Sequence, residues 1–316
     1  MRVRSGRASV GRGVELAYDQ LGDDGGRPLV LIMGIGAQRI FWHDAMCEQF
    51  VAAGFQVVRF DHRDVGESTR LDALGVPRAG RALAQRMFGG PVDAPYTLSD
   101  MATDVAGLIG AVGWDTAHVV GASLGGMVGQ HLAIEHPARV RSLTSIMSTP
   151  GARRYLPEPR AFRALFGKPP KTAEEAGRHV ATMFAAIGSP LWPADAARLR
   201  TLGEQAFARG MSPRGFQRHF AAVLASGDRR PALRTARTPT LVIHGTRDPM
   251  FPLAAGRALA ELMPDATWLP VAGMGHDLPE PLWPMFVAAI ARHAARADRV
   301  DRAVAPVGFE PTLERF

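Results

Sequence analysis

His118-Val119-Val120-Gly121-Ala122-Ser123-Leu124-Gly125-Gly126 is the stretch from which the rest of the chain can be read. Ala117 to Val120 predicts a buried strand and Leu124 to Glu135 a helix. The helix stops at His136-Pro137, because proline pushes the residue before it out of helical backbone. Between them, glycines flank Ser123 at two positions. Such flanks suit a turn too sharp for side chains, in which the serine itself holds a strained backbone and presents its hydroxyl. Gly126 extends the same relief. Strand, sharp turn and helix together form the context of a nucleophile elbow, and the N-terminus of the helix favours negative charge beside the serine.

Working outward, the same alternation continues in both directions. Leu29 to Met33, Gln56 to Phe60, Val140 to Met147, Thr240 to His244 and Thr267 to Pro270 predict further strands. Helices are predicted over Phe41 to Ala53, Thr97 to Val112, Leu253 to Met263 and Pro281 to Ala295. Apolar strands alternating with helices predict an α/β fold, a mostly parallel sheet covered on both faces. The alternation breaks from Thr149 to Arg237, where prolines interrupt helical stretches and no strand is evident. The expected organisation is a core from residues 1–148 and 238–298, an inserted helical cap at 149–237, and an unpacked tail at 299–316.

Bulk properties bound the function. The 316 residues are 47% hydrophobic and 21% charged, enough for one large core with a smaller cap. No apolar run approaches the roughly 20 residues needed to cross a bilayer. The basic start, Met1 to Gly13, leads into Ser9, Gly11 and Arg12 rather than an apolar export segment, so a cytoplasmic setting is expected. Cys47 is the only cysteine, which excludes an internal disulfide and a thiolate-rich metal site. The net charge of +7 comes from scattered arginines, with Lys168 and Lys171 the only lysines and no basic run with interleaved aromatics. No nucleic-acid partner is expected.

A serine hydroxyl needs a base to take its proton, and the base needs a partner to fix its tautomer. His276, in the small-residue loop Gly273-Met274-Gly275-His276-Asp277 after the last strand, is the expected base. His43 and His131 are read in helices, His118 at the start of a strand and His293 in the terminal helix. Asp248 emerges at the carboxyl end of the strand Thr240 to Ile243 and is the expected acid. Asp277 is the rival, although an immediate neighbour of the histidine seldom reaches the far ring nitrogen. Two N–H donors should face the oxyanion: Leu124, directly after the serine, and Ile35, in the glycine-rich loop Met33 to Gln38. Asp61, His62 and Asp64 lie too close in sequence to converge on a metal without further ligands. Their turn is read as a structural loop braced by Arg63 with Asp64 or Glu67.

These motifs together resemble the α/β-hydrolases, and among them esterases of the aclacinomycin methylesterase kind. The resemblance covers residues 14–295. It rests on Leu31 to Gln38, Arg59 to Gly66, Gly121 to Met127, Val242 to Gly245 with Asp248-Pro249, and Gly273 to Pro279. It implies the α/β-hydrolase fold, a triad in the chain order Ser123, Asp248, His276, and a helical lid. Met33 stands where many members have the histidine of a His-Gly pair. Phe162, Phe166, Met183, Phe184, Trp192, Phe207 and Phe216 of the lid are candidates to line an acyl pocket. The expected activity is hydrolysis of a small-molecule carboxylic ester, a methyl ester or lactone included, without cofactor or metal. Perhydrolysis, carbon–carbon bond hydrolysis and acyl transfer use the same triad, and a non-catalytic ligand-binding protein can share the scaffold. Dehalogenase and epoxide-hydrolase chemistry is disfavoured, because those relatives need a carboxylate where Ser123 stands.

Overall fold

The central strands are apolar on both faces, so each must be covered twice. In the computed structural model, which describes residues 2–304 with side chains to residue 299, successive residues of one strand serve opposite cores. Val30 and Ile32 pack into one cluster and Leu29 and Leu31 into the other; Val58 and Val57 divide in the same way. This is the two-residue side-chain period of a strand applied to a sheet buried on both sides.

In chain order the elements are β1 (Val3–Gly11), β2 (Val14–Leu21), β3 (Arg27–Ile32), α1 (Asp44–Ala52), β4 (Phe55–Phe60), α2 (Ala79–Phe88), α3 (Leu98–Ala111), β5 (Ala117–Ala122), α4 (Leu124–Glu135) and β6 (Val140–Ile146). There follow α5 (Pro159–Leu165), α6 (Ala173–Ile187), α7 (Ala196–Ala208), α8 (Pro213–Ala225), α9 (Arg230–Leu233), β7 (Thr240–Gly245), α10 (Leu253–Leu262), β8 (Thr267–Val271) and α11 (Trp283–Val304). The sheet runs β1-β2-β4-β3-β5-β6-β7-β8. It is antiparallel at β1/β2 and β2/β4 and parallel at every other pairing. Helices α3 and α4 cover one face, α1 and α11 the other.

From β3 the chain steps to β4 on one side and later to β5 on the other, so the loops after β3 and β5 diverge and leave a crevice between them. Helices α5 to α9 are inserted between β6 and β7, and α5 to α8 contribute residues to the walls of that crevice.

Several boundaries differ from the sequence reading. The β1/β2 hairpin and α2 were not anticipated. Helix α1 begins at Asp44 rather than Phe41, because the His43 ring accepts the Ala45 N–H and caps it. Helix α11 extends to Val304, into the segment expected to be unpacked; residues 305–316 of that expected tail lie outside the described residues. The 61–68 turn is braced differently from the expectation. Arg63 pairs in bidentate fashion with Asp104 of α3, both bonds 2.6 Å, and not with Asp64 or Glu67. Asp64 is taken instead by Arg218 of α8, at 2.6 and 2.8 Å, and by the Tyr96 hydroxyl. Glu67 pairs with Arg39 and Arg209. Planar guanidinium groups from other elements outcompete local partners because they meet both carboxylate oxygens at once.

Candidate active site

The turn at Ser123 has the strained backbone that its glycines foretell, φ 56° and ψ −117°. Only close packing holds a serine there. A Cβ on Gly121 would stand 2.2 Å from the carbonyl oxygen of Gly125, and one on Gly125 would stand 2.1 Å from that of Ile32. The turn therefore lies against its own helix on one side and β3 on the other, and any side chain at either position would force them apart.

Ser123 Oγ lies 2.9 Å from His276 Nε2, and His276 Nδ1 lies 2.9 Å from Asp248 Oδ2. A carboxylate accepts, so Nδ1 carries the proton and Nε2 is bare toward the serine hydroxyl, which donates to it. Asp248 is fixed in turn: its Oδ1 accepts the backbone N–H groups of Met250 and Phe251, leaving Oδ2 for the histidine. His244 Nε2, which donates to the Phe251 carbonyl, stands 3.5 Å from the same Oδ2.

The loop carrying His276 is held from the inserted helices. The His276 backbone N–H donates to the Ile187 carbonyl at 2.7 Å, and the Gly275 N–H donates to Ser189 Oγ at 2.8 Å. The Ser189 hydroxyl donates onward to Asp277. Asp277 is thereby committed away from the imidazole, and burial raises its pKa above the ordinary carboxylate value. Of the two candidate acids, the structure brings Asp248 and not Asp277 to the histidine ring nitrogen.

Leu124 opens α4 directly after Ser123. The 33–36 loop passes the serine closely: a Cβ on Gly34 would stand 3.5 Å from Ser123 Cβ and 4.0 Å from Oγ, and Ile35 follows it. A cavity of about 380 Å³ opens from this point, with Ser123, His276 and the 33–38 loop in its wall. Phe166, Met183, Phe184 and Phe216 line it as expected, but Phe162, Trp192 and Phe207 do not. Phe162 packs on Phe166 and Phe220, and Trp192 against the core cluster on the face of the sheet that α1 and α11 cover. Phe41 and Leu278 are further apolar lining residues.

The sequence reading passed over one buried residue at this site, His219 of α8. Its Nδ1 accepts the Gly36 N–H at 3.3 Å and its Nε2 donates to the Arg63 carbonyl at 2.9 Å. No local pattern signals such a contact, since 183 residues separate its ends.

Residues 27–280 match the family described as alpha/beta hydrolase fold. The chain is 29% identical over 313 residues to the rhodomycin D methylesterase DnrP of Streptomyces peucetius, covering 90% of this chain and 96% of that one. Among solved structures, the esterase RhEst1 from Rhodococcus sp. ECU1013 superposes with a TM-score of 0.68 at 22% identity, covering 93% of this chain and 99% of that one. The enol-lactonase from Burkholderia xenovorans LB400 gives a TM-score of 0.62 at 22% identity, over 93% and 98% of the two chains. No described helix is long and apolar enough to cross a membrane. With the sheet order, the strained serine turn and a match spanning most of the chain, this protein belongs to the α/β-hydrolase fold family and is a hydrolase.

Proposed function

We propose that the protein hydrolyses a small-molecule carboxylic ester through an acyl-Ser123 intermediate. The observation that carries the reading is the unbroken relay Asp248–His276–Ser123, two contacts of 2.9 Å each. In the first half-reaction His276 Nε2 takes the hydroxyl proton as Ser123 Oγ bonds to the ester carbonyl carbon. Asp248 stabilises the imidazolium, which then protonates the departing alcohol. In the second half a water gives its proton to the same nitrogen and attacks the acyl carbon. The acid is released and Ser123 regains its proton from the imidazolium.

The oxyanion formed in each half faces the backbone N–H groups of Leu124 and Ile35. Leu124 is at the N-terminus of α4, where the helix dipole adds to the effect. The apolar walls supplied by Phe41, Phe166, Met183, Phe184 and Phe216 suit a hydrophobic acyl group and keep bulk water from the relay. A relative named as a methylesterase supports a small alcohol, methanol in the simplest case, as the leaving group.

The test is labelling and turnover together. A fluorophosphonate should modify Ser123, and the protein should turn over p-nitrophenyl and methyl esters of apolar acids, with Ser123→Ala inert in both assays. An unlabelled Ser123 in folded protein would refute the reading.

A further inference from the structure

Two neutral imidazoles grip the loop that passes the serine, one at each end. His62 Nε2 meets the Met33 carbonyl at 3.0 Å, and His219 Nδ1 meets the Gly36 N–H at 3.3 Å. Their protonation follows from their partners. A carbonyl only accepts, so His62 Nε2 must carry a proton, and so must His219 Nε2 opposite the Arg63 carbonyl; His219 Nδ1 is then free to accept from Gly36. The two rings pack edge to face with centroids 5.6 Å apart, flanked by Phe60 on one side and Tyr96 on the other. Both histidines are buried, and that burial favours the uncharged rings that these bonds require.

Between the two anchored groups lie only Gly34 and Ile35. Gly34 rests against Ser123, while Gly36 is held at φ 64° with Phe216 so close that a Cβ would stand 2.8 Å from its ring. The direction of the Ile35 peptide is thus constrained by these ends, together with the turn bond from the Ala37 N–H to the Gly34 carbonyl at 3.3 Å. His62 comes from the core, but His219 comes from α8, in the inserted segment. We propose that His219 is a positioning residue of the oxyanion loop. Through the Gly36 amide it aims the Ile35 N–H at the oxyanion, which makes the inserted helices part of the transition-state machinery as well as a cover for substrate. This inference rests on the esterase reading above.

A merely space-filling role would be served by any residue of similar size. The hydrogen-bond role divides cleanly between two variants. His219→Asn keeps an acceptor at the δ position for Gly36 and gives up the Arg63 contact. His219→Gln keeps a donor at the ε position for Arg63 and gives up the acceptor. Each is assayed for kcat and KM on a p-nitrophenyl ester, and for inhibition by a trifluoromethyl ketone of the same acyl group, whose serine adduct places an oxyanion in the hole.

His219→Gln should lose up to about 100-fold in kcat with KM little changed, and bind the ketone more weakly by a similar factor. His219→Asn should stay within about fivefold of the parent in both readouts, since the donor itself is untouched. Equal activity of the two variants, or a change confined to KM, overturns the proposal. Failure of the parent to hydrolyse esters or to be labelled at Ser123 is a separate outcome. It defeats the esterase reading, and this inference with it.

Discussion

Asp248 Oδ2 meets His276 Nδ1 at 2.9 Å, whereas Asp277, the histidine's own neighbour in sequence, is bound by Ser189. The two carboxylates should therefore respond differently to the same substitution. Asp248→Asn presents an amide to Nδ1, favours the wrong imidazole tautomer and should lower kcat by about 10³- to 10⁴-fold with the fold intact. Asp277→Asn still accepts from the Ser189 hydroxyl and should lower kcat by less than about tenfold. Steady-state kinetics of both variants decide the matter; equal losses would reopen the assignment of the acid.

The contrast also shows which features the sequence could reveal. Ser123, Asp248 and His276 each follow a strand whose apolar run is plain in the sequence, so their place at one edge of a parallel sheet follows from the alternation. The β1/β2 hairpin was hidden because its strands are not apolar runs: Val3 to Gly11 alternates exposed residues with half-buried ones and the buried Ala8, charged residues among them. The partners of Arg63 and Asp64 were hidden for another reason. Asp104 and Arg218 lie 41 and 154 residues away, and ordinary helix positions give no sign of which charges tertiary packing will bring together. His219 escaped notice in the same way.

The glycines make a second prediction. Gly125→Ala places a methyl 2.1 Å from the Ile32 carbonyl oxygen, backbone that cannot swing aside, and should cost at least about 3 kcal/mol in stability. Gly80 in α2 is the control: it is exposed, and a Cβ there would meet nothing within 4 Å. Gly80→Ala should stabilise by about 0.5–1 kcal/mol, because alanine loses less backbone freedom in a helix. Urea unfolding of the two variants reads both signs in one experiment.

The buried pair between Asp64 and Arg218 makes a third. Both side chains are fully buried, and the arginine comes from α8 while the aspartate sits in the turn after β4. Arg218→Met strands a carboxylate in the interior with the Tyr96 hydroxyl and the Leu71 N–H as its remaining partners, and should cost about 3–5 kcal/mol. Adding Asp64→Asn removes the stranded charge and should recover a large part of that loss. Because α8 also carries His219, the single variant should lose ester turnover at temperatures where the rest of the protein still resists unfolding. A cycle of the two single variants and the double, followed by denaturation, measures the coupling; additive effects would show that the pair does not fasten α8.

Acid should unfold this protein earlier than its carboxylates alone would dictate. Burial lowers the pKa of His62 to about 3 and those of His118 and His219 to about 4, against an ordinary value of 6.5. A base whose folded pKa lies below its unfolded one takes up its proton on unfolding. The stabilisation is therefore complete above pH 6.5 and erodes as the pH falls from there toward 4. Asp298, 3.2 Å from His118, opposes the shift only in part, and Arg63 reinforces it at both His62 and His219. Three protons taken up together correspond to a slope of about 4 kcal/mol per pH unit near pH 5. Asp104 and Asp277, whose pKa values burial raises, bind protons in the folded state and reduce that slope at its lower end. Urea midpoints at pH 7, 6 and 5 should fall steeply over the last interval, and His62→Gln should flatten the curve by the share of one proton. Equal midpoints at pH 7 and pH 5 would mean that these rings are not buried as neutral groups, and the tautomers on which the 33–36 loop depends would then be wrong.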